Sequence, residues 1–214
     1  MNLIQAADGS ARNFWGEVSP TDHLVQIYEH EASFLAALQG FVVEGVRAGD
    51  GVVVIATAIH RDALDERLAL LGCDVESLRQ SGQYIVLDAQ ETLDRFMVAG
   101  WPDEARFGAT IAGLLERASA GHTRPVRAFG EMVALLWAQG HCGATVRLEH
   151  LWHRICESER LALLCAYPRS GFTTDVAASI RQICDAHSHV VERNRLVPCT
   201  ARSMTELTRM LNAD

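Results

Sequence analysis

The feature that most constrains this chain is a change of hydrophobic period repeated along its length. Short runs rich in Val, Ile and Leu alternate with longer segments whose apolar residues recur at helical spacing. That alternation is the pattern of βαβ units, and a parallel sheet covered by helices on both faces is the arrangement that buries both kinds of segment. Strands are expected at His23–Tyr28, Val52–Thr57, Tyr84–Leu87, Val126–Phe129 and Leu161–Tyr167. Helical period covers Glu31–Arg47, Arg61–Leu71, Asp74–Gln80, Asp103–Ser119, Ala144–Glu157 and Asp175–Glu192. Met132–Ala138 is continuously apolar and has no legible period; a helix is preferred there to an extension of the preceding strand. Gly49-Asp-Gly51 turns the chain, and Gly72 and Gly121 stop the helices before them. The expected fold is α/β, three layers deep, with a mostly parallel central sheet of about five or more strands. Residues 1–20 lack periodicity and read as a mobile leader, 21–193 as the domain, and 194–214 as a loosely attached tail with a short helix, Met204–Leu211.

Composition narrows the chemistry. All 19 basic residues of the 214 are arginine, so a Walker A clamp, a Schiff base and a pyridoxal phosphate anchor are excluded. The net charge of -8 and the lack of an arginine-rich run argue against direct nucleic-acid binding. The longest nearly apolar run, Val52–Ile59, falls far short of the roughly 20 residues that span a bilayer. Six cysteines without a CxxC pair or a secretory leader read as reduced thiols, so a cytoplasmic protein is expected.

In an open parallel sheet, ligands bind outside the carboxyl ends of the strands. Tyr28, His60, Asp88, Glu131 and Tyr167 follow the expected strands and form a candidate polar-tipped pocket; the competing reading is that such residues cap the next helix. Asp88 ends an apolar run as a Walker B acid does. The segment after the first strand, however, is Glu29-His-Glu-Ala-Ser33, whose acids would repel a triphosphate, and no nucleotide cofactor is expected. Cys184 and His187, three residues apart on one helix face, could share a transition metal with a ligand from elsewhere such as Cys165. A reduced core thiol beside a hydrogen-bonded histidine is the preferred account of the same residues. Glu149, His150, His153, Cys156 and Glu157 make a second such stretch, without HExxH order; His150, His153 and Glu157 read as a solvated face. No GxSxG elbow is present, which leaves nucleophilic catalysis unsupported.

Several ordered blocks resemble the MEDS domain, the methanogen/methylotroph DcmR sensory family. They are Asp22-His-Leu-Val-Gln-Ile-Tyr-Glu29, Val52–His60, Leu71-Gly-Cys-Asp74, Arg127-Ala-Phe-Gly-Glu-Met-Val133 with Leu136-Trp137, Leu148-Glu-His-Leu-Trp152, Leu164-Cys-Ala-Tyr-Pro168 and Cys184–Val190. The resemblance implies a RecA/KaiC-like scaffold without its phosphate loop and a non-catalytic role in sensing small molecules, simple hydrocarbon derivatives among them. It adds Arg127 to Tyr28, His60, Glu131 and Tyr167 as ligand contacts in matching blocks, while Trp137 and Trp152 read as core. It also implies a separate histidine kinase or transcription regulator as partner; a homodimer is compatible with it. The alternatives are a metal-dependent sensor or enzyme and a ligand-independent interaction subunit.

Overall fold

The structure is a computed structural model that describes residues 14–173, 175–193 and 195–212. After a 3-10 turn at Phe14–Glu17, the chain runs β1 (His23–Tyr28), α1 (Glu31–Ala48), β2 (Gly51–Ala56), α2 (Ala58–Leu70), α3 (Val75–Gln80) and β3 (Tyr84–Asp88). It continues through α4 (Ala89–Asp94), a small hairpin of β4 (Met97–Val98) and β5 (Trp101–Pro102), α5 (Glu104–Ala118), β6 (Val126–Gly130), α6 (Met132–Ala138) and α7 (Cys142–Ser158). Last come β7 (Leu161–Pro168), a 3-10 turn at Arg169–Gly171, α8 (Val176–Cys184), β8 (His189–Glu192), β9 (Arg195–Pro198) and α9 (Ala201–Asn212).

The central sheet has seven strands in the order β3-β2-β6-β7-β1-β8-β9, all parallel except the β8–β9 pair. The expected α/β architecture with its mostly parallel sheet is what forms, and the Met132–Ala138 run is a helix. Strand alternation splits the core in two. Val53, Ile55, Ala128, Leu163, Cys165 and Tyr167 face α4 to α8, whereas Val52, Val54, Phe129, Leu164 and Ala166 face α1 and α2. Asp74, Asp88, Asp103 and Asp175 cap α3, α4, α5 and α8 by accepting backbone N–H bonds of the first turn. Gly49 ends α1 at φ 83, where a side chain would be strained. Gly51 is required for a different reason: a Cβ there would sit 2.0 Å from the Ala118 carbonyl oxygen at the end of α5.

Three expectations change. The helix expected over Asp175–Glu192 ends at Cys184, and His189–Glu192 instead pairs with β1 and β9. Val190 and Val191 are β-branched, and the edge of β1 offered them backbone partners that no local pattern reveals. The segment expected as a loose tail supplies β9 and α9, whose Ser203 and Leu207 are buried. Of the expected leader, residues 1–13 lie outside the described residues; Phe14–Glu17 is docked, with Trp15 buried against Phe41 at a ring distance of 5.5 Å. Among the described residues no helix is long and apolar enough to cross a membrane.

Candidate functional site

The helices that follow neighbouring strands leave toward opposite faces at three places: between β3 and β2, where Arg61 of α2 bonds Asp88 across the gap, between β2 and β6, and between β7 and β1. Each such divergence opens a crevice at the carboxyl ends of the strands.

The β2–β6 crevice is filled by the protein itself. Glu131 follows β6 and turns its carboxylate back over β2: the Thr57 N–H donates to Oε2 at 2.7 Å and the Thr57 hydroxyl to Oε1 at 3.3 Å. His60, one turn into α2, places Nδ1 2.8 Å from Glu131 Oε1, and its Nε2 meets the Glu31 carboxylate. Burial works against the charged imidazole, but the hydrogen bonds and charges of Glu131 and Glu31 outweigh it and raise the His60 pKa above 6.5. A folded-state pKa above the unfolded value means that this histidine's contribution to stability is complete below pH 6.5 and is lost as pH rises through the raised value. We expect the His60 ring proton in NMR to titrate above 6.5, and Glu131→Gln to lower that midpoint. A midpoint at or below 6.5 in the unaltered chain would contradict the arrangement. Phe34 joins this cluster to the next crevice, with its ring 4.9 Å from His60 and 4.8 Å from Tyr28.

The β7–β1 crevice is open. It is a groove of about 460 Å³ lined by Tyr28, Glu29, Pro168, Arg169, Ser170, Phe172 and Leu211. Burial, with the nearby charges of Glu31 and Glu131, pushes the Tyr28 hydroxyl up to about 12, so it stays a neutral donor at physiological pH. Arg169 crosses the groove wall, donating to Glu29 Oε1 at 3.3 Å and to the Leu211 carbonyl in the last turn of α9 at 3.3 Å. Apolar Pro168, Phe172 and Leu211 beside a phenol, a hydroxyl and an ion pair suit a small amphiphilic molecule.

The other candidates enter neither of these two crevices. Asp88 caps α4 through the N–H groups of Gln90 and Glu91 and accepts from Arg61 at 3.0 Å. Arg127 lies near the start of β6, at the opposite pole of the sheet from the crevices, where it pairs with Asp50 at 2.8 Å and donates to the Trp15 carbonyl at 3.0 Å. Tyr167 is fully buried beneath the sheet end and donates its hydroxyl to Glu149 Oε1. Trp137 and Trp152 are core, as expected.

Glu149 is the centre of a further cluster between α7 and the sheet. Around its carboxylate stand His23 from β1, Cys165 from β7 and His187 from the turn after α8, all buried. Cys165 and His187 therefore come together, but without Cys184, the residue that the metal reading paired with His187. Cys184 stands beside Cys199 instead, and the hydrogen bond between the two thiols holds the Cys184 pKa below its ordinary value. Burial lowers both His23 and His187 to about 3, so both rings are neutral. Burial first, then the Glu149 charge, raises the Cys165 thiol and the Tyr167 hydroxyl well above their ordinary values. Residue-type reading missed His23 and named Glu149 only as one member of a His/Cys/Glu-rich stretch, yet a signal for its inward placement exists. Thr145, Glu149, Trp152 and Cys156 stand at i, i+4, i+7 and i+11, which puts the acid in the inward stripe of α7.

A family model matches residues 22–188: MEDS, the methanogen/methylotroph, DcmR sensory domain. No curated protein matches the chain. The matched span runs from just before β1 to just before β8; it takes in the β2–β6 crevice, the whole buried Glu149 cluster and the residues of the β7–β1 groove except Leu211 of α9. With most of its length covered by one model, the chain belongs to the MEDS family of sensory domains.

Proposed function

We propose that this domain is a non-catalytic, cytoplasmic sensor. A small amphiphilic molecule, such as a simple hydrocarbon derivative, binds in the β7–β1 groove and alters what a separate histidine kinase or transcription regulator sees. The observation that carries the reading is Arg169, which ties the Glu29 side of the groove to the last turn of α9. A ligand that hydrogen-bonds Tyr28 and competes for Arg169 loosens that tie and shifts α9, which packs on α8. Such a shift requires the ligand to bind the two arrangements with affinities that differ by a few kcal/mol. The reading makes the domain a nucleotide-machine scaffold, RecA/KaiC-like, that has lost its phosphate loop. Glu29 and Glu31 occupy the region after β1 where a phosphate cradle would need backbone donors and a lysine.

The test is a thermal-shift panel of short-chain alcohols, amines and carboxylates. A ligand present at 100 times its Kd stabilises by about 2.7 kcal/mol, which raises Tm by roughly 5–10 °C for a domain of this size. Tyr28→Ala and Arg169→Ala should each abolish the shift, and Asp88→Ala should leave it intact. Ligands whose shift survives both groove substitutions overturn the placement.

A further inference from the structure

We propose that His23, Glu149, Cys165 and His187 form a four-coordinate binding site for a divalent metal ion of the zinc class. The argument begins with geometry. A tetrahedral ion with bonds of about 2.0–2.1 Å to nitrogen or oxygen and about 2.3 Å to sulfur holds its ligand atoms about 3.4–3.6 Å apart. His23 Nε2 stands 3.3 Å from Glu149 Oε2 and 3.5 Å from Cys165 Sγ. Cys165 Sγ is 3.5 Å from Glu149 Oε2, and His187 Nε2 is 3.6 Å from that same oxygen. All four atoms lie within 4.8 Å of one another. Four of the six separations therefore match the edges of a single coordination tetrahedron.

The surroundings prepare the donors for that role. His187 Nδ1 donates to the Ile183 carbonyl at 2.6 Å, which fixes the ring so that Nε2 presents a lone pair. That buried Nε2 makes no hydrogen bond of its own. An outer bond of this kind, from ring N–H to backbone carbonyl, is the usual support of a metal-binding histidine. Tyr167 occupies Glu149 Oε1, which leaves Oε2 for the centre. The side chains of His23, Glu149 and His187 are at most 1% exposed. A carboxylate among two imidazoles and a thiol in so dry a place is poorly compensated without a cation.

The donor set also selects the ion. Two imidazoles and a thiol exclude magnesium and calcium, which take oxygen ligands, and favour zinc, cobalt or ferrous iron. Four protein ligands leave no open position, so the ion has a structural or regulatory role. Binding replaces the Cys165 S–H bond with a sulfur–metal bond and releases the proton to solvent.

The experiment titrates the full chain, stripped with a chelator, with cobalt(II) alone. One equivalent should bind, with the intense visible bands of a tetrahedral site and a sulfur-to-cobalt charge-transfer band in the near ultraviolet. Cys165→Ser should abolish the charge-transfer band, whereas Cys184→Ser and Cys142→Ser retain it. His187→Ala should weaken binding by at least about tenfold, the low end of what losing even an outer partner costs. In the unaltered chain, where folding is not in question, zinc should raise Tm and chelator should reverse the rise. Absence of stoichiometric binding, a charge-transfer band that survives Cys165→Ser, or a Tm indifferent to zinc overturns the proposal. None of these readouts depends on the groove ligand, so the sensor reading can fail while this site stands, and the reverse.

Discussion

Glu149→Ala in the metal-free chain should lower unfolding stability by on the order of 4 kcal/mol. The carboxylate accepts from Tyr167 and Cys165 and stands 3.3 Å from His23, with every one of these groups buried. Removing it leaves a buried phenol without its acceptor, which costs about 1–3 kcal/mol, and the space left beneath the sheet adds a cavity term. Glu149→Gln keeps the volume and an oxygen for Tyr167, so its loss should be less than half as large. Urea unfolding of the two variants measures the difference. Equal losses would mean that the charge, not the Tyr167 bond and the packing, carries the stabilisation. A loss below about 1 kcal/mol for alanine would mean that the cluster does not hold α7 to the sheet at all.

Asp50→Ala should cost on the order of 3 kcal/mol, because it strands the Arg127 guanidinium in a nearly dry place. Arg127 and Asp50 have side chains only 7% and 12% exposed, and the guanidinium carbon lies 5.5 Å over the Phe41 ring. An unpaired cation there keeps the Trp15 carbonyl and the face of the Phe41 ring but no counter-charge. The double variant Asp50→Leu with Arg127→Met removes both charges together and should recover most of the loss, since an apolar pair of similar volume often matches a buried ion pair. If the two single losses simply add in the double variant, the pair is not coupled and the account is wrong. The same double variant should keep the ligand-induced Tm rise, because Arg127 lies at the far end of β6 from the groove.

Arg127 also shows where residue-by-residue reading stops. It falls inside the strand expected at Val126–Phe129, but a ligand contact must stand at the carboxyl end, and Arg127 is the second residue of the five in β6. Its parity with Phe129 sends it to the α1 face, toward Trp15 and Asp50, residues distant in sequence. Asp88 was ambiguous for a different reason: a cap and a ligand acid share the same position after a strand, and only the N–H bonds of Gln90 and Glu91 separate them. His23 carried no signal, since a lone histidine at the start of an apolar run says nothing of what crosses the sheet to meet it.

The sequence by itself determined the elements whose burial has a local period: β1 to β3, β6 and β7, the helices between them except the short α4, the parallel α/β layering, and the loss of any lysine-based chemistry. Hydrophobic spacing and residue type are local, and they suffice there. Only the tertiary structure decided the strand order, the β8–β9 extension in place of a long helix, the open groove beside a closed crevice, and the meeting of His23, Glu149, Cys165 and His187. The four come from β1, α7, β7 and the turn after α8. Their proximity follows from strand pairing and helix packing across the whole domain, which no window of neighbouring residues encodes.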